Sequence, residues 1–133
     1  EMCIRDSSIL RRDRQAHIVF DRASGVTGYA AFEAVSLPED EIVADIAPET
    51  MVMHRTAEDG TLIVSVCDPN LHIKEKTYTT PEPSAPSFKT LHLRGAWSLA
   101  VSNEKVKIQL TGDVTEITVT CRHGQPVEFR LKQ

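Results

Sequence analysis

At 133 residues the chain is long enough for one domain with one core, and 41% hydrophobic against 26% charged residues exclude disorder and fibrous repeats. A net charge of -4 argues against a general polyanion binder, because nucleic-acid binding by counterion release needs clustered Lys and Arg; a sulfated sugar would need a local basic patch. No run of 18 apolar residues offers a membrane span, and three cysteines, an odd number without C-x-x-C spacing, imply neither a disulfide framework nor a metal site.

In chain order, residues 1–7 (EMCIRDS) fit no periodic pattern, and the absence of an initiator Met reads as a fragment. Residues 16–20 (AHIVF) and 26–34 (VTGYAAFEA) read as a hairpin around Ala23-Ser24-Gly25, with Gly28 and Ala30 marking a close approach on one face. An isolated hairpin is marginally stable, so this pair is expected to belong to a sheet outside the chain. Residues 37–50 (LPEDEIVADIAPET), acidic and bounded by Pro38 and Pro48, read as an inter-domain linker, with one helical turn starting at Pro38 as the alternative.

Beyond it, 51–55 is a weaker strand before the Glu58-Asp59-Gly60 turn, and 61–67 (TLIVSVC) points Leu62, Val64 and Val66 inward before stopping at Asp68-Pro69-Asn70. Three prolines make 79–87 (TTPEPSAPS) an extended loop. Leu91 and Leu93, then Trp97, Leu99 and Val101, predict two strands around Gly95. Strict alternation marks 105–110 (KVKIQL), 115–121 and 127–132, joined by Gly112-Asp113 and His123-Gly124 into an antiparallel meander. The fold class is all-β, an antiparallel β-sandwich.

Chemistry-bearing residues each have a bland competitor. Tyr29 and His17 on neighbouring strands are a legitimate acid–base pair, but cross-strand packing is the stronger account of the tyrosine. His54, His72, His92 and His123 lie on separate elements without H-x-x-x-H spacing and read as scattered surface histidines rather than metal ligands. Asp68 and Asn70 offer oxygens for calcium, though a side-chain cap on their turn explains them more simply. Trp97 alternates with Leu99 and Val101 and belongs in the core, not on a sugar-stacking surface. Cys67 and Cys121 face opposite ways and are not expected to pair.

The residues carry a family resemblance. HIVFDRASGVTGYAAFE (17–33), an acidic proline-bounded linker, TLIVSVCDPNL (61–71) and TCRHGQPVEFRLK (120–132) resemble, in order and spacing over about 115 residues, the end of polysaccharide lyase family 8, within it the chondroitin sulfate ABC lyases. The marks are the Asp68-Pro69 step ending an apolar strand and the terminal G-x-P-V-x-F-x-L strand. The resemblance implies that 11–36 are the last strands of a central β supersandwich, 37–50 a linker and 51–133 a C-terminal β-sandwich. Residues 1–10 stay unassigned, 1–7 resembling a translated sequencing-adapter scar.

Such lyases cleave by β-elimination, in which the uronate carboxylate is neutralised, a base takes the C5 proton and an acid protonates the leaving oxygen. The family's catalytic motifs lie upstream, so no catalytic residue is carried over. The implied role is a non-catalytic portion of a secreted or periplasmic glycosaminoglycan lyase, with the upstream catalytic domains and the polysaccharide as partners and no cofactor unless calcium binds. The competing readings are an independent carbohydrate-binding module and an immunoglobulin-like interaction domain. The position of the first hairpin is a discriminator: standing apart with an apolar, unpaired face it favours the truncated lyase, and completing the sheet it favours the immunoglobulin-like interaction domain.

Overall fold

The computed structural model describes residues 7–69, 73–74, 77–78, 86–122 and 125–133. Its strands are β1 (Ser7–Arg12), β2 (Ala16–Asp21), β3 (Val26–Ala31), β4 (Val35–Ser36), β5 (Val43–Ile46), β6 (Thr50–Thr56), β7 (Leu62–Cys67), β8 (Ile73–Lys74), β9 (Thr77–Tyr78), β10 (Ser87–Arg94), β11 (Ser98–Leu99), β12 (Val106–Thr111), β13 (Val114–Cys121) and β14 (Val127–Lys132). Period-two patterning is realised as predicted. In β6, Thr50, Val52 and His54 are buried while Met51, Met53 and Arg55 are exposed; in β14, Val127, Phe129 and Leu131 are buried between exposed Glu128, Arg130 and Lys132.

The described strands form an antiparallel sandwich. A seven-stranded sheet runs β1-β2-β3-β6-β7-β14-β11, a five-stranded sheet runs β12-β13-β10-β5-β4, and β8 pairs with β9 separately. One core joins the two large sheets, drawing Ile18 and Tyr29 from the first hairpin, Val64 and Leu131 from the rest of that sheet, and Leu91, Ile117 and Val119 from the other. The Ala57–Gly60 and Gly112 turns form where expected, with Gly60 and Gly112 at positive φ.

Three expectations are corrected. The β2–β3 hairpin does not stand apart: β3 pairs with β6 from Thr27↔His54 to Ala31↔Thr50, so the hairpin completes the seven-stranded sheet. Residues 37–50 are not a bare linker, because Val43–Ile46 forms β5 between β4 and β10, with Val43 and Ile46 buried. Of the acidic residues that made this stretch look like a tether, Glu39, Glu41 and Glu49 are exposed, whereas Asp40 turns towards Tyr29. Finally, the tail is not a meander. β12 and β13 pair as a hairpin, but β14 crosses to the other sheet and pairs with β7, Val127↔Val66 through Leu131↔Leu62. Alternation specifies which face of a strand is buried, not which strand lies beside it. The adapter-like residues 1–6 fall outside the described part, whereas Ser7 already belongs to β1.

Candidate functional site

The inner face of the seven-stranded sheet holds a polar cluster at its β2–β3–β6 end. Tyr29 on β3 and His54 on β6 are diagonal cross-strand neighbours, since Tyr29 pairs with Val52 and His54 with Thr27. The Tyr29 phenol donates to Asp40 Oδ2 at 2.6 Å and lies 2.9 Å from His54 Nε2. The phenol has a single proton, and the short bond to a carboxylate takes it, so Nε2–H of His54 is the donor to the phenol oxygen. Burial lowers the His54 pKa, the nearby Asp40 charge opposing it, so the neutral Nε2–H tautomer fits the site. Burial, and then the Asp40 bond, push the Tyr29 pKa up.

Asp40 is itself fixed. Its Oδ1 accepts the backbone N–H groups of Ile42 and Val43 at 2.9 and 2.7 Å, and Arg94 donates to the carbonyls of Asp40 and Leu37 at 2.8 and 2.7 Å. The cluster thereby ties the segment entering β5 to both sheets. On its outer side a groove of about 570 Å³ is lined by Leu10, Arg11, Ile18, Leu37 and Asp40 among others. The Arg11 guanidinium, 2.6 Å from Asp13, holds that carboxyl down to about 2.

Two further clusters lie elsewhere. Asp68, at the end of β7, accepts from Ser87 at 2.5 Å and lies 3.7 Å from Lys89 Nζ, both partners being on β10 and both charges largely buried. On the outer face of the five-stranded sheet, the His92 ring sits between Asp45 on β5 (Nδ1, 2.5 Å) and Glu116 on β13 (Nε2, 3.3 Å). Its two nitrogens point in opposite directions, so the carboxylates flank the ring and do not converge on a point where an ion could sit. Among the described residues no group of three or more His, Cys, Asp or Glu has a metal-binding arrangement.

The outer face of the seven-stranded sheet is apolar at one end. The row Ile9, Val19, Gly28, Met53 and the row His17, Ala30, Met51 follow from the strand registers, and Ile9, Val19, Met51 and Met53 are exposed, as is Phe32, whose ring meets His17 edge-on at 5.1 Å. A Cβ at Gly28 would meet Met53 Cγ at 3.9 Å, an ordinary contact, so the close approach expected there is not required.

The chain is 36% identical over 123 residues to the chondroitin sulfate ABC endolyase of Proteus vulgaris, a match that takes in 92% of the chain and 11% of that enzyme. The fold matches the chondroitin AC lyase of Streptomyces coelicolor A3, solved in complex with chondroitin sulphate, at a TM-score of 0.66 and 16% identity, over 96% of the chain and 15% of that structure. The chain is similar to a segment of a polysaccharide lyase. It spans about a tenth of the length of the curated relative, and no family model matches it.

Within the chain the residues nominated from the sequence are dispersed. His17 and Tyr29 lie on opposite faces of the first hairpin, His17 exposed beside Ala30 and Tyr29 buried beside Ile18, so they form no pair. His54 is not a surface histidine but is 8% exposed and bonded to Tyr29; it occupies an inward position of β6, a signal its alternation with Met53 and Arg55 carried. His72, Asn70 and His123 lie outside the described residues. Asp68 faces Ser87 and Lys89.

Trp97 is half-buried against the core as expected, its Nε1–H donating to the Arg94 carbonyl at 2.9 Å, but Val101 is exposed and the strand expected there is only Ser98–Leu99. Cys67 and Cys121 are free thiols, and burial with the nearby Asp68 pushes Cys121 up to about 11. Asp40 was missed altogether, because its partners come from β3 and β6 and nothing local announces them.

Proposed function

We propose that the chain is the C-terminal, non-catalytic β-sandwich portion of a family 8 glycosaminoglycan lyase, secreted or periplasmic, acting on chondroitin or dermatan sulfate or hyaluronan by β-elimination. The observation that carries this reading is the 36% identity to a chondroitin sulfate ABC endolyase over nearly the whole chain, at a tenth of that enzyme's length. Two features support the non-catalytic role. The acid–base groups Tyr29, His54 and Asp40 are spent on one another and on backbone N–H groups of a strand entry, where they have a structural use. The apolar outer face around Ile9, Val19, Phe32, Met51 and Met53 is what a segment needs to pack on the remainder of a much longer polypeptide, and that remainder is the occupant we assign to it.

The test follows the absorbance of unsaturated uronate. The full-length protein should generate the chromophore from chondroitin sulfate or hyaluronan, the isolated 133-residue chain should not, and Tyr29→Phe in the full-length protein should retain turnover. Turnover by the isolated chain would overturn the non-catalytic assignment. A second reading, an immunoglobulin-like interaction domain, is favoured by the first hairpin completing the sheet, since the described strands then share one core without help from another domain.

A further inference from the structure

The outer face of the five-stranded sheet carries two unlike halves. In one half the carboxylates of Asp45 and Glu116 are taken up by the ring of His92. In the other half, Phe88 stands on β10 with 68% of its surface exposed, the most open of the large apolar side chains described. Strand register places it opposite Thr120 of β13, and the Thr120 N–H donates to the carbonyl of Lys105 at 2.8 Å, so Phe88, Thr120 and Lys105 form one cross-strand row.

The next outward row is Thr90, Thr118 and Lys107. Lys89, Val119 and Val106, which alternate with these residues, are buried, and both lysines of the outer rows are exposed. Two strand spacings separate Phe88 from Lys105 and Thr90 from Lys107, roughly 10 Å at the backbone. Next to Lys105 a cleft of about 250 Å³ continues the surface past Thr120, Arg122 and Gln125, with Glu104 as the acid on its rim.

An exposed ring flanked by hydroxyls, with cations at one side, matches one class of ligand. The C–H face of a pyranose stacks on an aromatic ring, threonine hydroxyls meet sugar hydroxyls, and lysines meet carboxylate or sulfate groups. A flat sheet face admits an extended polymer without a deep pocket. The chain's net charge of -4 does not oppose this, because attraction at short range is set by the local charges, the distant ones being screened at physiological salt.

We infer that Phe88, Lys105 and Lys107 form a binding platform for an anionic polysaccharide on the outer face of the five-stranded sheet; that the polymer is a glycosaminoglycan rests on the lyase reading above. The platform involves no acid–base chemistry and holds substrate without cleaving it.

The experiment measures binding of chondroitin sulfate, hyaluronan and neutral dextran to the intact 133-residue chain by calorimetry and affinity electrophoresis, at low and high salt. The expected result is binding of the two acidic polymers that weakens with salt, little retention by dextran, and a loss of about tenfold in affinity for Phe88→Ala and at least about tenfold for Lys105→Glu with Lys107→Glu. Lys132→Glu, on the other sheet, should leave affinity unchanged. All four residues are exposed, and matching thermal unfolding curves confirm that each variant is folded. Absence of binding at low salt, equal retention by dextran, or an equal effect of Lys132→Glu overturns the platform. The lyase reading is scored separately by uronate absorbance of the full-length protein: a non-binding chain within an active lyase sinks the platform alone, and a binding chain within an inactive full-length protein sinks the lyase reading alone.

Discussion

Tyr29 and His54 are joined through the interior, phenol oxygen to Nε2 at 2.9 Å, although they lie on different strands and neither faces the other directly in the register. Their common partner is Asp40, which sits in the segment that enters β5. The relationship converts a loop that would otherwise lie free over the end of the sandwich into a fixed connection between its sheets. Tyr29→Phe removes the central hydroxyl and leaves the His54 N–H and an Asp40 oxygen unpaired near the core. We expect a loss of about 1–3 kcal/mol in urea unfolding. A change below a few tenths of a kcal/mol would show that water replaces the phenol at no cost.

The same pair sets a pH window. His54 has its pKa lowered by folding, so below the unfolded value of 6.5 the unfolded chain binds the proton first and stability falls as pH falls. Tyr29 has its pKa raised by folding, so above the unfolded value of 10.0 the unfolded chain loses its proton first and stability falls as pH rises. Unfolding free energy should therefore be greatest between these limits. His54→Gln should flatten the acid limb and Tyr29→Phe the alkaline one, as read by denaturant titrations across the pH range.

Lys89 is a cation at an inward position of β10, beside Asp68. Removing one member of a buried pair costs far more than removing both, because the survivor keeps its desolvation penalty. Asp68→Ala should cost about 3 kcal/mol or more, whereas Asp68→Ala combined with Lys89→Met should recover a substantial part of that loss. Equal stability of the single and double variants in thermal unfolding would mean that Lys89 reaches solvent when its partner is gone.

Thr115 is fully buried and closes the turn between β10 and β11: its hydroxyl donates to the Gly95 carbonyl at 2.7 Å and accepts the Trp97 N–H at 3.0 Å. Thr115→Val keeps the shape but leaves both backbone groups unpaired, with an expected loss of about 1–3 kcal/mol. Gly95 has a φ of 95°, and an added Cβ would lie 3.1 Å from Gln133 Nε2, so Gly95→Ala should cost about 1–2 kcal/mol through backbone strain. Tryptophan fluorescence would report both, since Trp97 donates to the Arg94 carbonyl just before Gly95. An unshifted emission maximum and unfolding midpoint in both variants would remove the assigned role of this turn.

The sequence alone determined the class of structure, the inward and outward sides of most strands, and the kinship. Leu62, Val64 and Val66, or Val127, Phe129 and Leu131, can be buried on one side only if they are strands, because side chains alternate with a period of two. Tertiary structure alone decided which strands are neighbours: that β14 joins β7 and not β13, that β3 extends its sheet through β6, and that Val43–Ile46 is an internal strand. It also decided that Asp40, Tyr29 and His54 meet, and that Phe88 shares a surface with Lys105 and Lys107. The physical reason is range. Alternation is a property of adjacent residues, while pairing and polar clusters depend on how faces of equal hydrophobicity are shared among strands far apart in the chain, and that choice leaves no periodic trace.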